Sequence, residues 1–595
     1  MRFLPLLAAL AALAACAAPP APPVAAVADA NFYLPESETA RRTPADTAAS
    51  GAGVVSAGDP RAAAAGVTIL EAGGNAADAT VAVLLALTVA EPQSSGIGGG
   101  GFLLWHDAET GQISSIDARE SAPAAATPDR FLQDDGQPVP FLDGVAGGQS
   151  VGVPGIVALA ADLHRQHGRL PWARLFEPAI ALARDGVAIT ERGRKMALAR
   201  RDLLAASPAA AQIFLDPQGQ PWPVGHVLKQ PELQKTLETL ARDGPEAFYR
   251  GPVGVSITDA VAHAFARPAA LTAADLAAYR AVERPPLCRP YRAWRVCTMG
   301  PPSSGGIAVL QILGQLERFD LKQSGPDNLL TWHLIAESQR LAYADREAWG
   351  GDSDFVPVPV SGLLSDSYIA ERSALIRIDR AIPEVHAGTP PGVAPRKSQK
   401  LADIPATSHL VVADQAGNVA SVTSTIEGIF GSGLMAGGFM LNNELTDFDF
   451  LPVRLDGTTA WNRIEPGKRP RSSMAPVILY DPDGRATAAY GAAGGATIIA
   501  QVAKMVIATI DWELPVEDAI AAPQLVADRR GVRLEKGSRL ENMAAGFVVL
   551  GHRRVEVTDL PLKGNGVARD GSGWRAAGDM RSDGQGAATN KRIGR

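Results

Sequence analysis

The chain has 595 residues, 46% of them hydrophobic and 20% charged, with a net charge of −7. Such a length fills several domains or one large intertwined one. The acidic balance leaves no basic footprint for nucleic acid, and past the N-terminus no unbroken apolar stretch is long enough to span a bilayer.

At the N-terminus, Arg2 precedes a short apolar run ending in Leu13-Ala14-Ala15-Cys16, the layout of an export signal. That ending resembles the bacterial lipobox, in which cleavage before the cysteine is coupled to lipidation of its thiol. A plain secretory signal cut among the alanines is the other reading. Residues 1–15 are read as a lipoprotein-type signal peptide, with Cys16 lipidated. Ala18 to Ala26 (APPAPPVAA) is too rich in Pro and Ala to fold, so 16–50 reads as a tether. The expectation is an exported bacterial protein, periplasmic or held to the membrane only by an N-terminal lipid.

From about Gly51 the sequence becomes periodic. Pro60 to Glu71 reads as an Ala-rich helix stopped by Gly73-Gly74, and Ala76 to Ala90 as a buried helix, apolar all round, ended near Pro92. The glycine run Gly98 to Gly101 leads into a strand from Phe102 to His106. It lacks the Lys-Ser/Thr of a phosphate cradle, and close backbone packing beside a helix is expected instead. Further helices are predicted around Gly155–His167, Ala173–Asp185, Glu232–Asp243 and Leu330–Trp349. His164 and His167 read as surface residues of one helix, and the nine histidines form no HExxH motif, so no metal and no cofactor is expected.

Cys288 and Cys297 flank Arg292-Ala293 symmetrically, and a hairpin there places them cross-strand. A disulfide in an oxidising compartment and two buried free thiols both remain open. Gly388 to Pro405 is polar, Pro-rich and without periodicity, which predicts a loose connection.

Thr407 stands where that connection runs into an alternating, β-branched strand, Ser408 to Asp414. After Gln415-Ala416-Gly417 a second strand, Val419 to Thr425, returns. A hairpin centred on Ala416 sets Thr425 opposite Thr407, two hydroxyls on neighbouring strands. Thr407 is then either an ordinary β-former or a nucleophile awaiting release. Attack by its hydroxyl on the Ala406 carbonyl would turn the peptide into an ester, and water would leave Thr407 as a new N-terminus. Its free amine, with a reference pKa of about 7.7–8.0, can serve as base for its own hydroxyl. Beyond it, Met435–Asn442, Ala475–Tyr480 and Ala486–Tyr490 read as strands, and Ala496–Thr509 and Glu517–Ala521 as helices. Strands enclosed by helices from both halves point to a layered α/β architecture.

From about Gly51 to Ala587 the chain carries many blocks in order: EAGGNAADATVAV, DARESAPAAAT, VGVPGIVAL, PPSSGG, TSHLVVADQAGNVASVTST, LNNELTDF, KRPRSSMAP and GAAGGATII. Together they resemble the γ-glutamyltransferases (γ-glutamyl transpeptidases, glutathione hydrolases), which are N-terminal-nucleophile hydrolases. The resemblance implies a four-layer αββα sandwich built from both parts of a self-cleaved chain. The cut would fall between Ala406 and Thr407, leaving a large subunit, 51–406, associated with a small one, 407–595.

By the same resemblance Thr407 is the nucleophile and Thr425 its supporting hydroxyl. Arg119 clamps the substrate α-carboxylate, for which a planar guanidinium is suited, and Ser472 and Ser473 add donors. Residue type alone favours a structural salt bridge of Arg119 with Glu120 or Asp117. Glu444 and Asp447, read as lying on a strand edge, hold the α-ammonium. Gly494 and Gly495 offer N–H groups to the oxyanion. Two departures stand out. Glu427 occupies the place of the family's asparagine beside the α-amino group, and the lid segment Phe448 to Arg471 is short, with Trp461 as its candidate aromatic. The function implied is a self-processing hydrolase/transpeptidase that takes a γ-glutamyl donor such as glutathione and passes it to water or to an amino-acid or peptide acceptor. Alternatives are a cephalosporin/glutaryl acylase or poly-γ-glutamate hydrolase of the same fold, and a catalytically silent envelope lipoprotein that only binds.

Overall fold

The computed structural model describes residues 42–396, 406–454 and 457–590, all within one compact unit, Tyr33–Arg595. Cys16, the signal peptide, most of the expected tether and residues 397–405 before the expected cut lie outside the described residues.

Two seven-stranded sheets stack face to face. The first runs in the order Gln585–Ala588, Val54–Ala57, Thr407–Ala413, Val419–Thr425, Gly100–His106, Ile113–Ala118, Val282–Arg284. The second runs Ala48–Gly51, Gly573–Gly578, Lys563–Asp570, Ala486–Ala493, Val477–Tyr480, Trp294–Thr298, Leu287–Tyr291. In both sheets, strands from before and after Ala406 lie side by side.

Alternation along each strand builds the layers. Val411 and Ala413 point inward to Ile478, Ala489, Val567 and Trp574 of the other sheet. Their neighbours Leu410 and Val412 point outward, into a core shared with the helices Pro60–Glu71 and Ala76–Ala90. On the far side Val477, Leu479 and Tyr490 meet the helices Gly305–Leu316, Leu329–Trp349 and Thr497–Ile510. Helix, sheet, sheet, helix is the αββα order. Ala76–Ala90 is buried at every residue, as a helix with no polar face must be. Its N-terminus is closed by Asn75 and Asp78 in a capping box, and the Asp414 carboxylate accepts from the Ala76 N–H at 3.0 Å.

Several expectations change. The folded body begins before Gly51: Ala48–Gly51 pairs with Gly573–Gly578, so the last part of the 16–50 segment is sheet rather than tether. The glycine run packs beside the N-terminus of the helix Ile156–His167, whose Gly155 and Ile156 N–H groups donate to the Gly99 carbonyl at 2.8 and 3.1 Å, and also against a strand. A Cβ on Gly99 would lie 1.9 Å from the Thr425 carbonyl oxygen, and one on Gly101 2.3 Å from that of Thr423. Met435–Asn442 is not one strand but a tight reversal between Met435–Ala436 and Phe439–Met440, because Gly437 and Gly438 take φ of 51° and 83°. His164 and His167 are partly buried rather than on the surface: His164 bonds the Leu170 carbonyl at 2.8 Å, and His167 stacks on Trp105 at 4.6 Å. Cys288 and Cys297 are cross-strand partners and form a disulfide.

Candidate active site

Thr407 opens a central strand, and the observed register sets it opposite Thr425. Its hydroxyl donates to Thr425 Oγ1 at 3.3 Å, and Thr425 Oγ1 donates to the Ala406 carbonyl at 2.8 Å. The Glu427 N–H bonds Thr425 Oγ1 at 2.8 Å and fixes that hydroxyl from the other side. A hydroxyl beside a carbonyl already polarised by a donor is the arrangement an intramolecular acyl shift requires. Both Ala406 and Thr407 are buried. His409, two residues on, is pushed down to about 3 by burial, so it is neutral and bonds Thr423 Oγ1 at 2.9 Å.

The predicted donor residues come together in a form the sequence did not suggest. Arg119, fully buried, pairs with Glu444 and Asp447, the very acids expected to take the substrate's ammonium. Its remaining contacts are the carbonyls of Pro470 and Arg471, each at 3.1 Å. The pairing with Asp117 reduces to one backbone bond of 2.9 Å, since Asp117 takes Arg284 and Arg469 instead. Glu444 and Asp447 sit on a 3-10 turn, not a strand edge. Neither Glu120 oxygen has a hydrogen-bond donor among the described residues. Burial raises Glu120 to about 7 and lifts Glu444 well above the carboxylate range against the pull of Arg119. The two interacting carboxyls therefore retain a proton near neutrality.

Ser472 and Ser473 follow Arg471, whose carbonyl accepts from Arg119. Ser472 Oγ accepts from the Met474 N–H at 3.1 Å, and Ser473 Oγ accepts from Arg346 at 2.5 Å. Gly494 and Gly495, with φ of 125° and 59°, join the strand Ala486–Ala493 to the helix Thr497–Ile510. A Cβ on Gly494 would stand 2.6 Å from both Pro561 O and Thr497 Oγ1, so only glycine fits. Glu427 adopts φ 72°, a left-handed backbone that asparagine accepts more readily than glutamate. Its carboxylate accepts from Asn443 Nδ2 at 2.5 Å. Trp461 packs edge-on against Trp349 with centroids 5.8 Å apart, and the Arg396 guanidinium lies 4.0 Å over its ring. No group of three His, Cys, Asp or Glu able to hold a metal occurs among the described residues.

The sequence profile of Gamma-glutamyltranspeptidase matches residues 62–589. The chain belongs to the gamma-glutamyltranspeptidase family. It is 38% identical over 482 residues to the glutathione hydrolase proenzyme of Bacillus subtilis (strain 168), covering 80% of each chain. With the Escherichia coli (strain K12) glutathione hydrolase proenzyme it shares 38% over 502 residues, 82% of this chain and 83% of that one. The crystal structure of cephalosporin acylase from Bacillus halodurans superposes with a TM-score of 0.80 at 28% identity, over 94% of this chain and 100% of that one.

Sequence reading passed over several residues in contact with the candidate site: Arg346 on the helix Leu329–Trp349, and the buried trio Glu91, Ser408 and Lys563 behind Thr407. The one available signal was a lysine opening the small-residue strand Lys563–Asp570.

The Glu120 shift predicts a pH dependence. Its folded pKa lies above the unfolded value of 4.5, so the folded state binds more protons between about 4.5 and 7 and loses stability as pH rises through that window. Glu120→Gln should match the parent below pH 4.5 and exceed it in Tm above pH 7; parallel Tm–pH curves would contradict the assignment.

Proposed function

We propose that the protein is a self-processing γ-glutamyl hydrolase and transpeptidase that cleaves itself between Ala406 and Thr407 and acts on glutathione and related γ-glutamyl amides. The observation that carries this is the hydroxyl relay from Thr407 through Thr425 to the Ala406 carbonyl. In the precursor, Thr407 Oγ1 attacks that carbonyl, the amide becomes an ester, and water releases the chain ending at Ala406 as the large subunit. In the mature enzyme the freed amine of Thr407 takes the proton from its own hydroxyl, which attacks the γ-amide of the donor. The N–H groups of Gly494 and Gly495 receive the oxyanion; one such donor contributes about 3–4 kcal/mol. The acyl-enzyme passes to water or to an amine acceptor.

Donor binding is an exchange of ion pairs. The substrate α-carboxylate takes Arg119, with Ser472 and Ser473 adding donors. Glu444 and Asp447, released from Arg119, take the α-ammonium, and Glu427 adds negative charge nearby. A zwitterion satisfies both halves of the opened pair. A glutaryl group has no ammonium and would leave the two acids unpaired and desolvated. For that reason the pocket favours γ-glutamyl donors over those of the cephalosporin acylase type, the second reading that the structural likeness supports.

Export follows from the N-terminal signal, and no helix among the described residues is long and apolar enough to cross a membrane. We assign the anchor to a lipid on Cys16.

Thr407→Ala should stay at full length on a denaturing gel and show no turnover, whereas the parent yields two chains, one beginning Thr-Ser-His-Leu; a processed Thr407→Ala would refute the assignment. The ratio of kcat/KM for γ-glutamyl over glutaryl anilide should be about a hundredfold or more, and Asp447→Asn should reduce it. A glutaryl preference in the parent would select the acylase reading. Cys16→Ser should move the protein from the membrane to the soluble fraction; unchanged fractionation would exclude the lipid anchor.

A further inference from the structure

Directly behind Thr407 lies an ion pair that the reaction as described does not use. Lys563 opens the strand Lys563–Asp570 of the second sheet, paired with Ala493, and its side chain reaches across to the first sheet. Its Nζ stands 2.6 and 2.8 Å from the two oxygens of Glu91, 3.1 Å from Ser408 Oγ and 3.2 Å from the carbonyl oxygen of Thr407. Ser408 in turn donates to Glu91 at 2.7 Å. Lys563 and Glu91 side chains are each 2% exposed. The surrounding backbone is drawn in around them: a Cβ on Gly58 would meet Glu91 Oε2 at 2.6 Å and Lys563 Cε at 2.8 Å. Glu91 is fixed as the residue that ends the helix Ala76–Ala90.

A buried Lys–Glu pair is a poor device for stability, because desolvating two charges offsets most of their attraction. Its placement suggests another task. We propose that Lys563, seated on Glu91, is a positioning residue for Thr407: it anchors the nucleophile by its carbonyl and sets a positive charge beside the amine that cleavage frees. This rests on Thr407 being the new N-terminus.

Cleavage removes the chain on the amino side of Thr407, so the strand, the hydroxyl bond to Thr425 and that carbonyl are what still hold it. The amine and carbonyl oxygen of one residue are roughly 3 Å apart, which keeps the freed amine within about 7 Å of the ammonium. A cation at that range disfavours a second cation and holds the amine in its neutral, proton-accepting form. The groups facing Lys563 are Glu91, Arg192 of the helix Glu191–Ala199, and Asp583; Asp59 and Arg61 face Glu91. Burial lowers Lys563 against the opposing pull of Glu91. Burial works to raise Glu91, but Lys563 and Ser408 outweigh it and hold the carboxylate below its usual range.

The test compares Lys563→Met, the double variant Glu91→Gln/Lys563→Met and Lys563→Arg with the full-length parent. It follows precursor cleavage on gels and the pH profile of kcat/KM on a γ-glutamyl anilide. Losing the ammonium should raise the amine's pKa. The acid limb should then move up by about one pH unit in Lys563→Met, and by less in the double variant, where loss of the Glu91 carboxylate offsets part of the loss of the ammonium. Cleavage should slow at least about tenfold in both. Lys563→Arg, which keeps the charge, should restore the parental acid limb. An acid limb that stays in place in both methionine variants overturns the proposal even if rates fall, because packing damage alone lowers rates. A parent that never cleaves before Thr407 would instead remove the premise.

Discussion

The register between two neighbouring strands is the constraint on which this molecule depends. Thr407 faces Thr425 because Leu410, Val412, Ala420 and Val422 must all reach the helical core while Val411, Ala413 and Val419 reach the opposite sheet. A slip of one residue would reverse every one of those side chains and bring a different pair of residues to the strand head. The hydrophobic pattern that builds the sandwich therefore also aims one hydroxyl at another, and that one at the Ala406 carbonyl. Catalytic geometry and core packing share a single specification.

Around that fixed point the charges are arranged in closed pairs. Arg119 is satisfied by Glu444 and Asp447, Lys563 by Glu91, and Asp117 by Arg284 and Arg469. Glu120 and Glu444 relieve their mutual repulsion by retaining a proton. A pocket of this kind is already desolvated, and a ligand gains little by charge alone. Under the proposed donor binding, it must offer one group of each sign, at the spacing that replaces both ends of an existing pair.

Much of this was legible along the chain wherever the determinants are local. Helix limits at Pro60–Glu71 and Ala76–Ala90 followed from periodicity and from the stops at Gly73-Gly74 and Pro92, and the Thr407–Thr425 hairpin from its turn and alternation. Met435–Asn442 was misread because its apolar residues look like a strand, while the two left-handed glycines that reverse it carry no hydrophobic signal. For Arg119 residue type offered the nearby acids Glu120 and Asp117 and the resemblance offered a substrate carboxylate, whereas its actual partners, Glu444 and Asp447, lie 325 and 328 residues further on. Lys563 and Glu91 are 472 residues apart and were invisible as a pair until the sheets brought them together. The strand Ala48–Gly51 was lost for a similar reason: its partner lies at Gly573–Gly578, near the opposite end of the chain.

The interleaving of the sheets carries a thermodynamic corollary. Val54–Ala57 lies between Gln585–Ala588 and Thr407–Ala413, and Ala48–Gly51 closes the edge beside Gly573–Gly578. Severing the backbone at Ala406 would convert a unimolecular folding problem into a bimolecular one, with each fragment supplying only some strands of both sheets. Neither fragment alone would complete either sheet. Durability then resides in the barrier to opening rather than in a reversible equilibrium, and melted material would have no route home.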